Sequence, residues 1–247
     1  MWALVAMLLF SPPAAPPPDR FEVNGVNLSY SVQGTGEPVV LIHGLYSSVR
    51  RNWELPGTLQ TLAANYQVIA LDLPGHGLSD KPDRIDAYGI AMVDDVIALL
   101  DHLNIKKAHI VGYSMGGMIA MKLMATHPDR VLSAVVGGMG WMEQGTLLAL
   151  FWQNWQAAAR GQTPAVCAQS LGKLAVSTDE LASIHTPVVI VIGEKDPVKP
   201  LFVDPLHKAR PDWPIVVVPN ANHTDTVFRP EFKRAVADAL AKPAHGR

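Results

Sequence analysis

An α/β domain with a mostly parallel central sheet flanked by helices, carrying a short helical insertion, is the architecture that this sequence predicts. Three observations point to it. Short unbroken apolar runs such as "VVLI", "VIALDL" and "AHIVGY" fit strands buried on both faces, as in a parallel sheet. Segments of helical spacing alternate with these runs, the pattern of parallel strands joined by crossover helices. A hydrophobic share of 49% against 17% charged residues over 247 positions supplies a substantial core.

Residues 1–20 stand outside this pattern. The nine-residue run "WALVAMLLF" is too short to cross a bilayer, which takes about 20 residues, so no membrane span is expected. Followed by the Pro-rich spacer "SPPAAPPPDR", with small residues at Ala14 and Ala15, it fits a secretory signal and predicts export. No Lys or Arg precedes the run, and an apolar tail on a cytoplasmic protein is the alternative reading.

From Phe21 onward, alternating apolar residues around Asn24-Gly25 predict a hairpin. Then "PVVLIHG" reads as strand, "LPGTLQTLAANY" as helix and "QVIALDLPG" as strand. "IAMVDDVIALLDHLN" is helical, "AHIVGYS" strand, "MGGMIAMKLMATHP" helical and "VLSAVVGGM" strand. The alternation stops at Trp141. Residues 141–183 are helical in spacing, rich in Trp and Leu, and without a strand pattern. Phe151 and the tryptophans at 141, 152 and 155 exceed what one buried stripe needs, which favours a lid over a plain pair of packing helices. Alternation resumes with "TPVVIVIGEKD" and "WPIVVVPNANH" and ends on the amphipathic helix "RPEFKRAVADALAK". The core is therefore expected over 21–140 and 184–247, with the lid at 141–183.

A formal charge of -2 without any basic block favours neither nucleic acid nor an anionic membrane surface as a partner. With Cys167 as the one cysteine, neither an internal disulfide nor a Cys-rich zinc site can form.

The chemistry centres on "GYSMG" at 112–116, where a strand pattern turns into a helix pattern. A tight turn there forces Ser114 toward positive φ, at a cost of order 1–3 kcal/mol. Gly112 and Gly116 remove side chains that would collide across the corner, leaving a hydroxyl held out beside a helix N-terminus. A serine needs a base. His223 follows the last strand and falls at the same carboxyl edge, whereas His43 and His76, flanked by glycines, suit turn or backbone-capping roles. His102, His109, His127 and His185 fall on the wrong side. To orient the imidazole, Asp196 is preferred to Glu194, because Pro197 fixes its turn; Asp72 suits loop capping, and Glu143 is a reserve. The backbone N–H groups of Leu45 and Met115 are the candidate oxyanion donors. Tyr46, Trp141 and Trp152 are the candidate pocket residues.

With "HG" at 43–44, "DLPGHGLSD" at 72–80, "GYSMGG" at 112–117, "GEKDPV" at 193–198 and "NANH" at 220–223, the chain resembles the α/β-hydrolase fold superfamily from Phe21 to Lys242. It looks closest to the serine, esterase-like branch with a short lid. The resemblance implies that the lid is inserted between strands at 131–139 and 187–193 and that "PGHGLSD" is a structural loop. Haloalkane dehalogenases and epoxide hydrolases of this type carry aspartate at the elbow, against which Ser114 argues. The expected activity is hydrolysis of small to medium carboxylic esters by Ser114, His223 and Asp196 through an acyl-enzyme, without metal or organic cofactor. A carbon–carbon bond hydrolase or lactonase on the same triad is the alternative. For a substrate carboxylate, Arg50, Arg51 and Arg160 are available cations that equally fit a solvated surface. A ligand-binding protein that retains the fold without catalysis is the reading from another class.

Overall fold

The computed structural model describes residues 18–154 and 161–241, with side chains to Leu150 and again from Gly161. Residues 1–17 lie outside the described part, and with them the apolar run and most of the spacer. The first strand, β1 (Asp19–Val23), begins two positions ahead of the expected boundary. It pairs antiparallel with β2 (Val26–Gln33) through a two-residue turn in which Asn24 and Gly25 have φ of 50° and 72°. Two consecutive positive φ values give the turn the twist of its flanking strands, the reason for an Asn-Gly pair.

Next come β3 (Glu37–Ile42), α1 (Thr58–Ala63), β4 (Tyr66–Asp72), α2 (Ile90–His102), β5 (Ala108–Tyr113), α3 (Met115–Thr126) and β6 (Val131–Gly137). The 141–183 segment contains α4 (Leu147–Asn154), α5 (Ala165–Gln169) and α6 (Thr178–Ser183), so its helical reading agrees with the structure. One detail differs: Glu143 and Val176 form a single parallel bridge tying the two ends of the segment together. The chain closes with β7 (Val188–Gly193), α7 (Asp204–Ala209), β8 (Ile215–Val218) and α8 (Pro230–Ala241). The sequence reading contains no α7, nor the wide helical turn at Lys199–Val203 before it. Pro200 and Pro205 interrupt the periodicity there, yet each falls in the first turn of its helix, where a missing N–H costs nothing.

The strands form one eight-stranded sheet in the order β1-β2-β4-β3-β5-β6-β7-β8, antiparallel at β1–β2 and β2–β4 and parallel thereafter. Side chains alternate between its two faces. Val40, Ile42, Ile110 and Val136 pack beneath α2 and α3, while Val39, Leu41, Val111 and Val135 pack against α1 and α8. Burial on both faces is why these strands read as continuous apolar runs.

The order β4-β3-β5 reverses the direction of winding at β3. Loops leaving β3 and β5 diverge there and open a crevice at the carboxyl edge, where open α/β sheets bind ligands. Register aligns that edge across the sheet: Ile42 pairs with Gly112, Tyr113 with Gly137, and Gly193 with Val218.

Candidate active site

Ser114 stands between β5 and α3 with φ 54° and ψ −113°. Such a conformation in a residue with a β-carbon persists only where the surroundings enforce it. Here Ser114 N–H donates to Gly137 O at 2.8 Å, and Met118 N–H to Ser114 O at 3.1 Å. A Cβ on Gly112 would meet the carbonyl of Gly116, and one on Gly116 would meet the carbonyl of Ile42. The first is the cross-corner collision expected from sequence; the second shows α3 docking directly onto the backbone of β3.

Ser114 Oγ lies 2.9 Å from His223 Nε2, and His223 Nδ1 lies 2.9 Å from Asp196 Oδ2. A carboxylate only accepts, so Nδ1 carries the proton and Nε2 is left with the lone pair facing the serine. Asp196 is 3% exposed, and its other oxygen accepts Val198 N–H at 2.9 Å. The turn around Pro197 thus aims the carboxylate inward to the imidazole. Further bonds lock the two loops: Lys195 N–H to Ala221 O at 2.8 Å, and Asn220 N–H to Glu194 Oε2 at 2.7 Å. Glu194, the alternative third member, is spent on this clamp. Tyr113, not singled out from sequence, donates its hydroxyl to His223 O at 2.6 Å and tilts its ring against the imidazole at 5.6 Å.

The other weighed residues go to structure. His43 and His76 each donate through Nδ1 to a carbonyl, of Gly44 and Pro74 respectively, both at 2.8 Å. Their Nε2 atoms accept the N–H groups of Leu73 and Tyr46, both at 3.1 Å. Burial lowers their pKa values to about 4 and about 3, with His43 adding to the shift of His76, so both rings stay neutral. Asp72 accepts Val49 N–H at 2.8 Å and Leu78 N–H at 2.9 Å, the loop-capping role. Glu143 accepts from Thr178 Oγ1 at 3.3 Å, within the 141–183 segment.

The loop after β3 narrows the oxyanion donors. Gly44 N–H is taken by Asn52 Oδ1 at 2.9 Å and Tyr46 N–H by His76, which leaves Leu45 N–H without an acceptor among the described residues. Met115, first residue of α3, has no acceptor one turn back. Asn52 was not legible as a site residue: its partner is a backbone amide eight positions earlier, and no side-chain motif marks it.

A cavity of about 210 Å³ opens at the serine, lined by Leu45, Tyr46, Arg51, Asn52, Thr224 and Phe228 together with Ser114 and His223. Tyr46 is thus where a pocket residue was expected. Trp141 is not. It is 8% exposed, packs in the core, and donates Nε1–H to Val176 O at 2.8 Å. An indole offers the same apolar bulk to a core as to a pocket, and the sequence cannot separate the two. The side chains of Phe151, Trp152, Trp155 and Arg160 lie outside the described residues. A larger hollow of about 620 Å³, between Asp101 and Arg130, lies away from this edge and contains no nucleophile paired with a base. Among the described residues, no three His, Cys, Asp or Glu side chains are grouped to hold a metal ion, and no helix is long and apolar enough to cross a membrane.

Residues 37–179 match the family model of the α/β hydrolase fold. The chain belongs to that family. It is 43% identical over 121 residues to a dihydrolipoyllysine-residue acetyltransferase component of an acetoin cleaving system from Pseudomonas putida, covering 48% of this chain and 31% of that protein. The chain therefore spans about a third of that relative's length. Among solved structures, this α/β hydrolase superposes on a meta-cleavage product hydrolase of Pseudomonas fluorescens with a TM-score of 0.74 at 23% identity, covering 91% of this chain and 97% of that one. An enol-lactonase of Burkholderia xenovorans gives 0.73 at 21% identity, covering 91% and 100%. At these identities the two superpositions establish the fold.

Proposed function

We propose that this chain is a serine hydrolase that cleaves small to medium carboxylic esters through an acyl-enzyme. The observation that carries the reading is the unbroken relay from Ser114 Oγ to His223 to Asp196, with both links at 2.9 Å. His223 Nε2 takes the hydroxyl proton as Oγ bonds to the ester carbonyl carbon. The resulting oxyanion accepts from the N–H groups of Leu45 and Met115, fixed before the reaction starts. On collapse, the carbon–oxygen bond to the alcohol breaks and His223 Nε2–H protonates the leaving oxygen. Water then repeats the sequence on the acyl-serine and frees the acid. Asp196 holds the ring and stabilises the imidazolium in both halves.

A second reading, cleavage of a carbon–carbon bond or a lactone by the same three residues, draws support from the meta-cleavage product hydrolase and enol-lactonase among the structural neighbours. Turnover of short p-nitrophenyl esters beside a lactone and a ring-cleavage diketone acid separates the two. A neutral fluorophosphonate that fails to label Ser114 would exclude both and leave a non-catalytic ligand-binding protein. On this reading the 141–183 segment serves as the lid. Removal of an amino-terminal export signal is tested by the mass of the mature protein.

A further inference from the structure

The cavity at Ser114 has an uneven electrostatic lining. Arg51 is its one formally charged side chain; the remaining walls are apolar groups, hydroxyls, an amide and the imidazole. No carboxylate faces it, because Asp196 is buried behind His223. Four arginines of the described chain are neutralised where they stand: Arg84 by Asp86, Arg130 by Asp101, Arg210 by Asp212 and Arg229 by Asp225. Arg20, Arg50 and Arg234 make no ion pair among the described residues but do not line this cavity. Arg51 has no such partner among the described residues. Its backbone N–H donates to Ser48 Oγ.

The base of this side chain is fixed. Arg51 belongs to a wide helical turn, Arg50–Glu54, whose next two residues are buried, Asn52 at 6% and Trp53 at 0% exposure. Asn52 is tied at both ends, its own N–H to Ser48 O at 2.9 Å and its Oδ1 to Gly44 N–H at 2.9 Å. The exposed Arg51 side chain thus starts from an anchored backbone and lines the cavity together with the loop that supplies Leu45. The site is also small: about 210 Å³ lies below the roughly 300–1,000 Å³ of common ligand pockets. Ser114 and Arg51 line this same small space, so a substrate whose carbonyl reaches the serine shares it with the arginine.

We propose that Arg51 is a specificity-determining residue that receives a substrate carboxylate, so that the preferred substrates are short acids bearing a second, hydrolysable carbonyl. The planar guanidinium suits a bidentate pair with that carboxylate, which lysine matches only as a point charge. The same charge attracts anionic substrate through solvent, an effect that salt screens. The inference rests on the serine-hydrolase reading and narrows its substrate class.

Monomethyl glutarate and dimethyl glutarate form a matched pair, anionic and neutral, whose hydrolysis is followed by pH-stat. The expected result is a kcat/KM at least tenfold higher for the monoester, falling as salt is raised from 50 to 500 mM. Arg51→Gln should bring the monoester-to-diester ratio close to one, chiefly through KM of the monoester, and Arg51→Lys should restore part of it. Labelling of Ser114 by a neutral fluorophosphonate is measured on each variant as an independent count of competent sites. If Ser114 labels but the wild type shows no monoester preference, or Arg51→Gln retains it, the carboxylate subsite is overturned while the hydrolase stands. If Ser114 neither labels nor turns over either ester, the hydrolase reading falls and this inference with it.

Discussion

At the scale of residues, the proposed chemistry depends on one hydroxyl, one imidazole and one carboxylate brought together over more than a hundred positions. Ser114→Ala removes the atom that attacks in the proposed mechanism. It should abolish fluorophosphonate labelling and lower kcat by about 10³-fold or more, with an unchanged far-ultraviolet circular dichroism spectrum. Asp196→Asn keeps the shape but offers an amide that can turn its N–H toward His223 and stabilise the wrong tautomer. A loss in kcat of about 10⁴-fold is expected, with KM little altered. The three were legible in the sequence because each follows an apolar strand pattern, and strand ends in a parallel sheet share one edge. Asn52 and Tyr113 were not, since their value lies in bonds to backbone atoms, which no residue type advertises. Trp141 was misread for the complementary reason, its side chain being equally suited to core and pocket.

Elements were legible wherever periodicity ran unbroken. The hairpin, the parallel strands and α2, α3 and α8 all lie where the apolar spacing put them, whereas the helical turn at Arg50–Glu54 and the proline-interrupted stretch from Lys199 to Ala209 escaped. Helix α8 shows how an element supports the site from behind. Phe232 is fully buried, stacks on Trp53 at 6.4 Å and meets the Tyr113 ring edge-on at 5.7 Å. Phe232→Ala should cost about 3–5 kcal/mol in urea unfolding. Since Tyr113 also holds the carbonyl of His223, the variant should lose kcat beyond any loss of folded protein, measured per labelled Ser114. At the corner itself, Gly116→Ala would drive a methyl into the carbonyl of Ile42, and a lowered yield of folded protein on size exclusion is the expected outcome.

For the molecule as a whole, stability should peak within a window of pH. On the acid side, His43 and His76 have pKa values lowered to about 4 and about 3 by burial, so the unfolded chain binds more protons than the folded one as pH falls from about 6.5. Their contribution is complete above that value and lost on acidification toward pH 4 and 3. On the alkaline side, burial and the neighbouring Asp94 raise Asp95 to about 7, so the folded chain retains a proton that the unfolded one gives up near 4. That contribution is present at low pH and lost as pH rises through 7. Asp95→Asn, which mimics the protonated form, should therefore raise Tm at pH 8 and leave it nearly unchanged at pH 4. A Tm difference that does not vary with pH would contradict the assignment. The sheet order has one more effect at this scale. Three ladders in series separate nucleophile from base, β5 with β6, β6 with β7 and β7 with β8, and β7 and β8 pair with the rest of the sheet through the second of these. On the proposed function, turnover then acts as a built-in strain gauge: parting any one of these ladders by a few ångströms should silence the molecule while most of its secondary structure is still in place.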